Sequence, residues 1–211
     1  MKRITANHML LRVPESRFAG DRINRLFNIP RTLLEILTAT DGAWEYCDNV
    51  DRIDLACFTG EIPKAVLREW LARMTSRACE STRVTDPRTL AVVEALRADA
   101  VTKATHDEAS EAVTAASQAA REISREAVAE KLAAAITVTA CQVASGAAWA
   151  ISTNTTGETL RSAAWNTARA VALAGGYDYH RERAKLQAER RKQHSDLLEL
   201  VIVAIEEAND G

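Results

Sequence analysis

The histidine, carboxylate, arginine and tryptophan groupings of this 211-residue chain are the places where chemistry could arise, and spacing decides which of them can converge. His106-Asp107-Glu108 offers an imidazole and two carboxylates, the donor types that hold a cation or move protons. Three consecutive helical residues point in different directions, however, and acidic groups at a helix start are expected from the dipole alone. Tyr177, Asp178, Tyr179, His180 and Arg181 gather aromatic, acidic and basic groups just after Gly175-Gly176, a composition able to line a ligand pocket. A helix start packed on its neighbours explains the same residues, and His180 is the histidine to test.

The run Arg181, Arg183, Lys185, Arg190, Arg191, Lys192 could contact phosphates of a nucleic acid or a nucleotide. Glu182 and Glu189 sit at pairing distance within it and no aromatic residue interleaves, so a solvated helix face is the preferred reading. Of the tryptophans, Trp70 belongs to an apolar helical face and is assigned to the core. Trp149 and Trp165 lie among alanines with few large neighbours and are the best candidates for a binding surface. The candidate ligand- or partner-binding set is therefore Trp149, Trp165, Tyr177, Tyr179, His180, Arg181 and Arg183. No catalytic residue, metal ligand or cofactor is assigned, because the chain contains no G-x-S-x-G, G-x-x-x-x-G-K, H-E-x-x-H or G-x-G-x-x-G pattern. That lack favours a binding protein over an enzyme.

The elements that must position these residues are helices. The chain is 47% hydrophobic with only 5% aromatic residues, alanine supplying much of the difference, so the core has to come from closely approaching helices. The expected fold is all-α: a multi-helix bundle of alanine-rich helices over residues 61–211, with a long C-terminal helix, and a small irregular N-terminal cap of short helices over 1–60 that either stands apart or belongs to the same domain. Pro14, Gly20, Pro30, Gly42 and Gly60 punctuate that cap, with one short strand near Met9 to Val13 and helix starts at Asp41 and Asp51.

From Pro63 onwards, Val66, Leu67, Trp70, Leu71, Met74 and Ala78 recur at three- and four-residue steps. Asp86-Pro87 marks a capped helix start followed by a stripe of Leu90, Val93, Leu96 and Ala100. Thr105 with Glu108 has the spacing of a capping box. Further helices start near Ser124, run from Glu158 to Ala174, and run from about Tyr177 to Ala208, where Leu197, Leu200, Val201, Ala204 and Ile205 can dock on the bundle.

The stretch Asp86 to Leu96, then Val101 to Glu108, the alanine-rich run to Ala120, Ala147-Ala148-Trp149-Ala150, Ala163-Ala164-Trp165 and the charged Arg181 to Gln193 together resemble an alanine-rich helical family of immunity proteins also found in phages and prophages. The resemblance covers about residues 63–203 and departs from the family where Val101-Thr102-Lys103 replaces an aromatic and a glycine. It implies an inhibitor that neutralises a bacterial effector, toxin or defence complex by direct binding, and carries over no catalytic residue. The alternative is a sequestering protein for a phosphorylated small molecule such as a signalling nucleotide.

A net charge of −2 supplies no global basic field for nucleic acid or anionic lipid. The scattered Cys47, Cys57, Cys79 and Cys141 suit buried thiols in a reducing compartment. Ile136 to Ile151 is read as too short to span a bilayer, and no signal peptide is recognised, so the expected location is cytoplasmic without a membrane partner. Alanine-rich faces leave a homodimer open.

Overall fold

The computed structural model describes residues 2–15, 17–122, 128–152, 157–174 and 179–210. These form α1 (Ala6–Leu10), α2 (Gly20–Leu26), α3 (Leu33–Thr38), a 3₁₀ turn (Gly42–Tyr46), α4 (Asn49–Thr59), α5 (Lys64–Thr82), α6 (Pro87–Arg97), α7 (Lys103–Glu122), α8 (Val128–Ser152), α9 (Gly157–Leu173) and α10 (Tyr179–Asp210). The fold is all-α, a multi-helix bundle. Among the described residues the sole β feature is an isolated antiparallel bridge between Ile4 and Arg31. Met9, expected in a strand, instead lies buried in α1, whose first turn is held by the Thr5 hydroxyl accepting the His8 amide at 3.3 Å.

Side-chain caps hold the starts of α1, α3, α4, α6 and α7. Thr32 and Glu35 form a reciprocal capping box on α3. Asp48, rather than the expected Asp51, caps α4 by accepting the Val50 and Asp51 amides, while Asp51 takes Arg22 at 2.5 Å. Gly60 ends α4 in the left-handed region at φ 68°, with the Arg12 guanidinium filling the space a Cβ would need. Asp86 caps α6 as its D-P pair predicts. The box opening α7 is between Thr102 and Thr105, one turn earlier than the Thr105–Glu108 spacing suggested. The Ser124 start and the 153–156 and 175–176 segments lie outside the described residues.

One buried apolar cluster runs from Ile4 through Trp44, Trp70 and Ala147 to Val201, drawing on both ends of the chain. All six apolar residues expected on α5 are buried in it or beside it. On α6 the buried stripe is Thr89, Val92, Val93 and Leu96; Leu90, one position from Thr89 and so about a quarter-turn away, is half-exposed, and Ala100 lies beyond the helix end. All four cysteines are free and buried.

The largest departure from expectation is α10. It packs on α3, α4, α5 and α9, so its middle turns face inward. Arg190, expected on a solvated face, is 1% exposed and pairs with Asp54 of α4 at 2.7 Å. Glu189 pairs with Arg77 of α5 and also accepts from the Gln193 amide of its own helix at 3.4 Å, and Arg77 also holds Asp196 at 2.6 Å. Gln193 is fully buried: its amide donates to Ala164 O at 3.0 Å, and its main-chain oxygen accepts the Trp70 indole N–H at 2.9 Å. These bonds tie α4, α5, α9 and α10 together and satisfy polar groups that burial would otherwise penalise.

Candidate functional site

The most structured surface feature lies between α7 and α8. Ala109 and Ala112 on α7, with Ala144, Ala147 and Ala148 on α8, are buried and carry only methyl groups, which lets the two backbones approach closely. Beside this seam, His106, Ser110 and Val113 recur at four- and three-residue steps on α7, and Gln142, Ser145, Gly146 and Trp149 do so on α8, so both sets face one cleft of about 320 Å³. A Cβ added at Gly146 would meet nothing within 4 Å, so the cleft has open space at that residue.

His106 is the hub. Its ring packs on the Trp149 indole with centroids 4.8 Å apart and planes tilted by 52°. Nδ1 lies 3.2 Å from the Ser145 carbonyl oxygen, which can only accept, so the proton is assigned to Nδ1. Nε2 is then a lone pair, placed to accept the Ser110 hydroxyl proton at 3.4 Å. Ser110 Oγ and Ser145 Oγ are 3.0 Å apart, and Ser145 Oγ lies 3.5 Å from Nδ1. The site therefore offers an aromatic wall, two hydroxyls and an oriented imidazole.

The expected candidates separate in space and in description. Trp149 is 44% exposed at this cleft and Trp165 is 41% exposed on α9. Arg183 is exposed on α10. Tyr177, and the side chains of Tyr179, His180 and Arg181, lie outside the described residues. Asp107 and Glu108 are exposed, Asp107 lining a separate surface hollow with Ser110 and Glu111, and among the described residues no three His, Cys, Asp or Glu side chains converge on a metal position. The grouping of His106 with Ser110 and Ser145 is not visible among the immediate neighbours of His106; the i, i+4 pair His106–Ser110 is the signal that residue order carries.

A second cleft, of about 460 Å³, is lined by Ser81 of α5, Val171 of α9, Ala174 beyond it, and Lys185, Ala188, Glu189 and Lys192 of α10. His194, also on α10, is half-buried with Nε2 2.9 Å from Leu37 O. Burial pushes its pKa down against the raising effect of that hydrogen bond, with the Arg52 charge adding to the depression, so the neutral imidazole serves as a structural link to α3. The segment Ala133–Ser152 of α8 is long and apolar enough to cross a membrane by length and composition, with mean hydropathy 1.4, because the helix continues on both sides of the stretch read as too short. The buried face of its second half packs on α5, α6, α7 and α9. No family model, no curated protein and no solved structure matches this chain.

Proposed function

We propose that the protein acts in the bacterial cytoplasm by direct binding, as a helical inhibitor of immunity type that neutralises an effector, toxin or defence complex. The observation that carries this reading is Trp149: a large aromatic side chain left 44% exposed at the rim of a cleft, with its ring already fixed against His106. Immobilising an indole before binding lowers the entropy lost on association, and tryptophan dominates interface energetics where a partner covers it. Free buried thiols fit the reducing compartment.

The test has a functional endpoint. Tagged wild-type chain and its Trp149→Ala variant are used to capture bacterial proteins, and each captured protein is assayed for its own activity with and without added chain. The reading requires a partner that wild type inhibits and the variant, equally folded, inhibits at least tenfold less. Captured proteins whose activities are untouched by the chain would overturn it.

The sequestering alternative draws support from the second cleft, where Lys185 and Lys192, seven positions apart on α10, and the Ser81 hydroxyl could take a phosphoryl group. Native mass spectrometry of freshly purified protein decides it: a nucleotide-sized mass released on denaturation supports it, and a clean apo mass after incubation with nucleotides removes it.

A further inference from the structure

Helical serines and threonines commonly turn their hydroxyl back onto the carbonyl four residues earlier, and Thr82, Thr114, Thr137, Thr139 and Thr167 all do so here. The Ser110 hydroxyl is bonded differently: its partners are His106 Nε2 and Ser145 Oγ, both lining an open cleft. His106 is oriented from behind by the Ser145 carbonyl, which fixes the tautomer that leaves Nε2 free to take a proton. Nucleophile, base and an acceptor orienting the base thus stand in series, the arrangement that activates a serine, at distances normal for a site without substrate.

We propose that Ser110 is an acyl-accepting nucleophile with His106 as its general base, and that the α7–α8 cleft accepts small activated carboxylic esters whose apolar part lies along Trp149 and over Gly146. This goes beyond the binding reading and does not depend on it. In the first step Ser110 Oγ forms a bond to the ester carbonyl carbon and its proton passes to His106 Nε2. The carbon–oxygen bond to the leaving group then breaks, and Nε2–H returns the proton to the departing oxygen. In the second step water attacks the Ser110 ester, giving its proton to Nε2; the acyl–Oγ bond breaks, Oγ recovers the proton, and the carboxylic acid leaves.

The substrate class follows from what surrounds the reacting carbon. Ser110 and Ser145 stand in helix interiors, where main-chain amides are already bonded, so the developing oxyanion is met by side-chain donors: the Ser145 hydroxyl, 3.0 Å from Ser110 Oγ, and the Gln142 carboxamide on the cleft wall. Two mobile donors stabilise that charge less than fixed amides do. Aryl esters, whose leaving groups need little help, are therefore within reach, and amides are not.

The full-length protein is treated with a fluorophosphonate serine probe and, separately, with p-nitrophenyl acetate. Intact mass, peptide mapping and p-nitrophenolate release are read. The expected result is a single covalent adduct on Ser110, absent from Ser110→Ala, and a His106→Ala variant slowed by about 100-fold or more and partly restored by added imidazole, since a general base contributes roughly 10²–10⁴-fold. A merely structural histidine would not respond to free imidazole. Absence of an adduct on wild type, an adduct mapped elsewhere, or a His106→Ala variant acylated at the wild-type rate overturns the proposal. Should Ser110→Ala fail to fold, the wild-type adduct map alone decides.

Discussion

Arg190 is the residue whose removal tests the account of the bundle most directly. Its guanidinium is 1% exposed, bonds Asp54 at 2.7 Å and donates to Gln193 Oε1 at 3.2 Å. Arg190→Met keeps most of the apolar stem and deletes the charge. Breaking a buried pair by removing one partner costs about 3–5 kcal/mol, because the surviving charge stays desolvated. Arg161, which also attracts Asp54, offsets part of this, so a loss near ~3 kcal/mol is expected. Replacing both partners, Asp54→Leu with Arg190→Met, removes the stranded carboxylate and should cost much less than the sum, giving a coupling of about 2–3 kcal/mol in a double-mutant cycle.

The same pair has a pH signature. Burial already raises the Asp54 pKa above its ordinary value despite the lowering effect of Arg190, and losing Arg190 raises it further. A carboxyl with a raised folded pKa stabilises the fold when protonated, and that contribution is lost as pH rises through the folded value. The deficit of Arg190→Met relative to wild type should therefore shrink as pH falls from 7 toward the unfolded aspartate value of about 4. Urea unfolding of wild type, both single variants and the double variant at several pH values measures all of this. A loss below about 1 kcal/mol for Arg190→Met, or additive costs in the double variant, would refute the reasoning.

Gly146→Ala should raise thermal stability, by roughly 0.5–1 kcal/mol from helix propensity with no steric cost, while narrowing the cleft; the same variant should acylate more slowly with p-nitrophenyl acetate. Gly157→Ala is the opposite case, since the added methyl would stand 2.7 Å from the Phe58 Cα at the α4–α9 contact, and a loss of about 1–3 kcal/mol by urea unfolding is expected. Thr32→Ala should cost about 1 kcal/mol at neutral pH by opening the α3 capping box. The Thr32 main-chain N–H holds the Glu35 carboxyl below its ordinary pKa, so the bond made by the carboxylate is present at neutral pH and fades on acidification; Thr32→Ala keeps that N–H, so it is the deficit of Glu35→Ala that should shrink as pH falls below about 4. Burial pushes the Cys79 thiol up to about 11, so a thiol-specific disulfide reagent should leave it unmodified at pH 7.5 until urea is added.

Local signals were legible where they act through nearest neighbours. The 3.6-residue periodicity of α5 and the Asp86-Pro87 start of α6 could be taken directly from residue order, because each depends on residues within one helix. In the charged half of α10, Arg183, Lys185, Arg191 and Lys192 are exposed as a solvated face requires, and the departures at Glu189 and Arg190 have a physical reason. Arg190, Glu189 and Gln193 have the composition of a solvated face, and only the crossing of α10 over α4, α5 and α9 supplies their respective partners Asp54, Arg77 and the Ala164 carbonyl, which offset the cost of burial. Partners separated by more than a hundred positions leave no trace in local spacing.

The α7–α8 cleft was hidden by a different mechanism, and that mechanism also explains why it exists. Alanine seams bring two backbones together, but they leave nothing beyond the methyl layer to fill the groove alongside. Polar and aromatic side chains flanking the seam, His106 and Ser110 on one helix and Ser145 and Trp149 on the other, are thereby held at hydrogen-bonding distance around a space they do not occupy. A Cβ at Gly146 would meet nothing within 4 Å, so a larger side chain there would extend into this groove. Gly146, unfavourable in a helix interior by propensity, thus stands where the groove has open space, the trade expected where a site competes with packing.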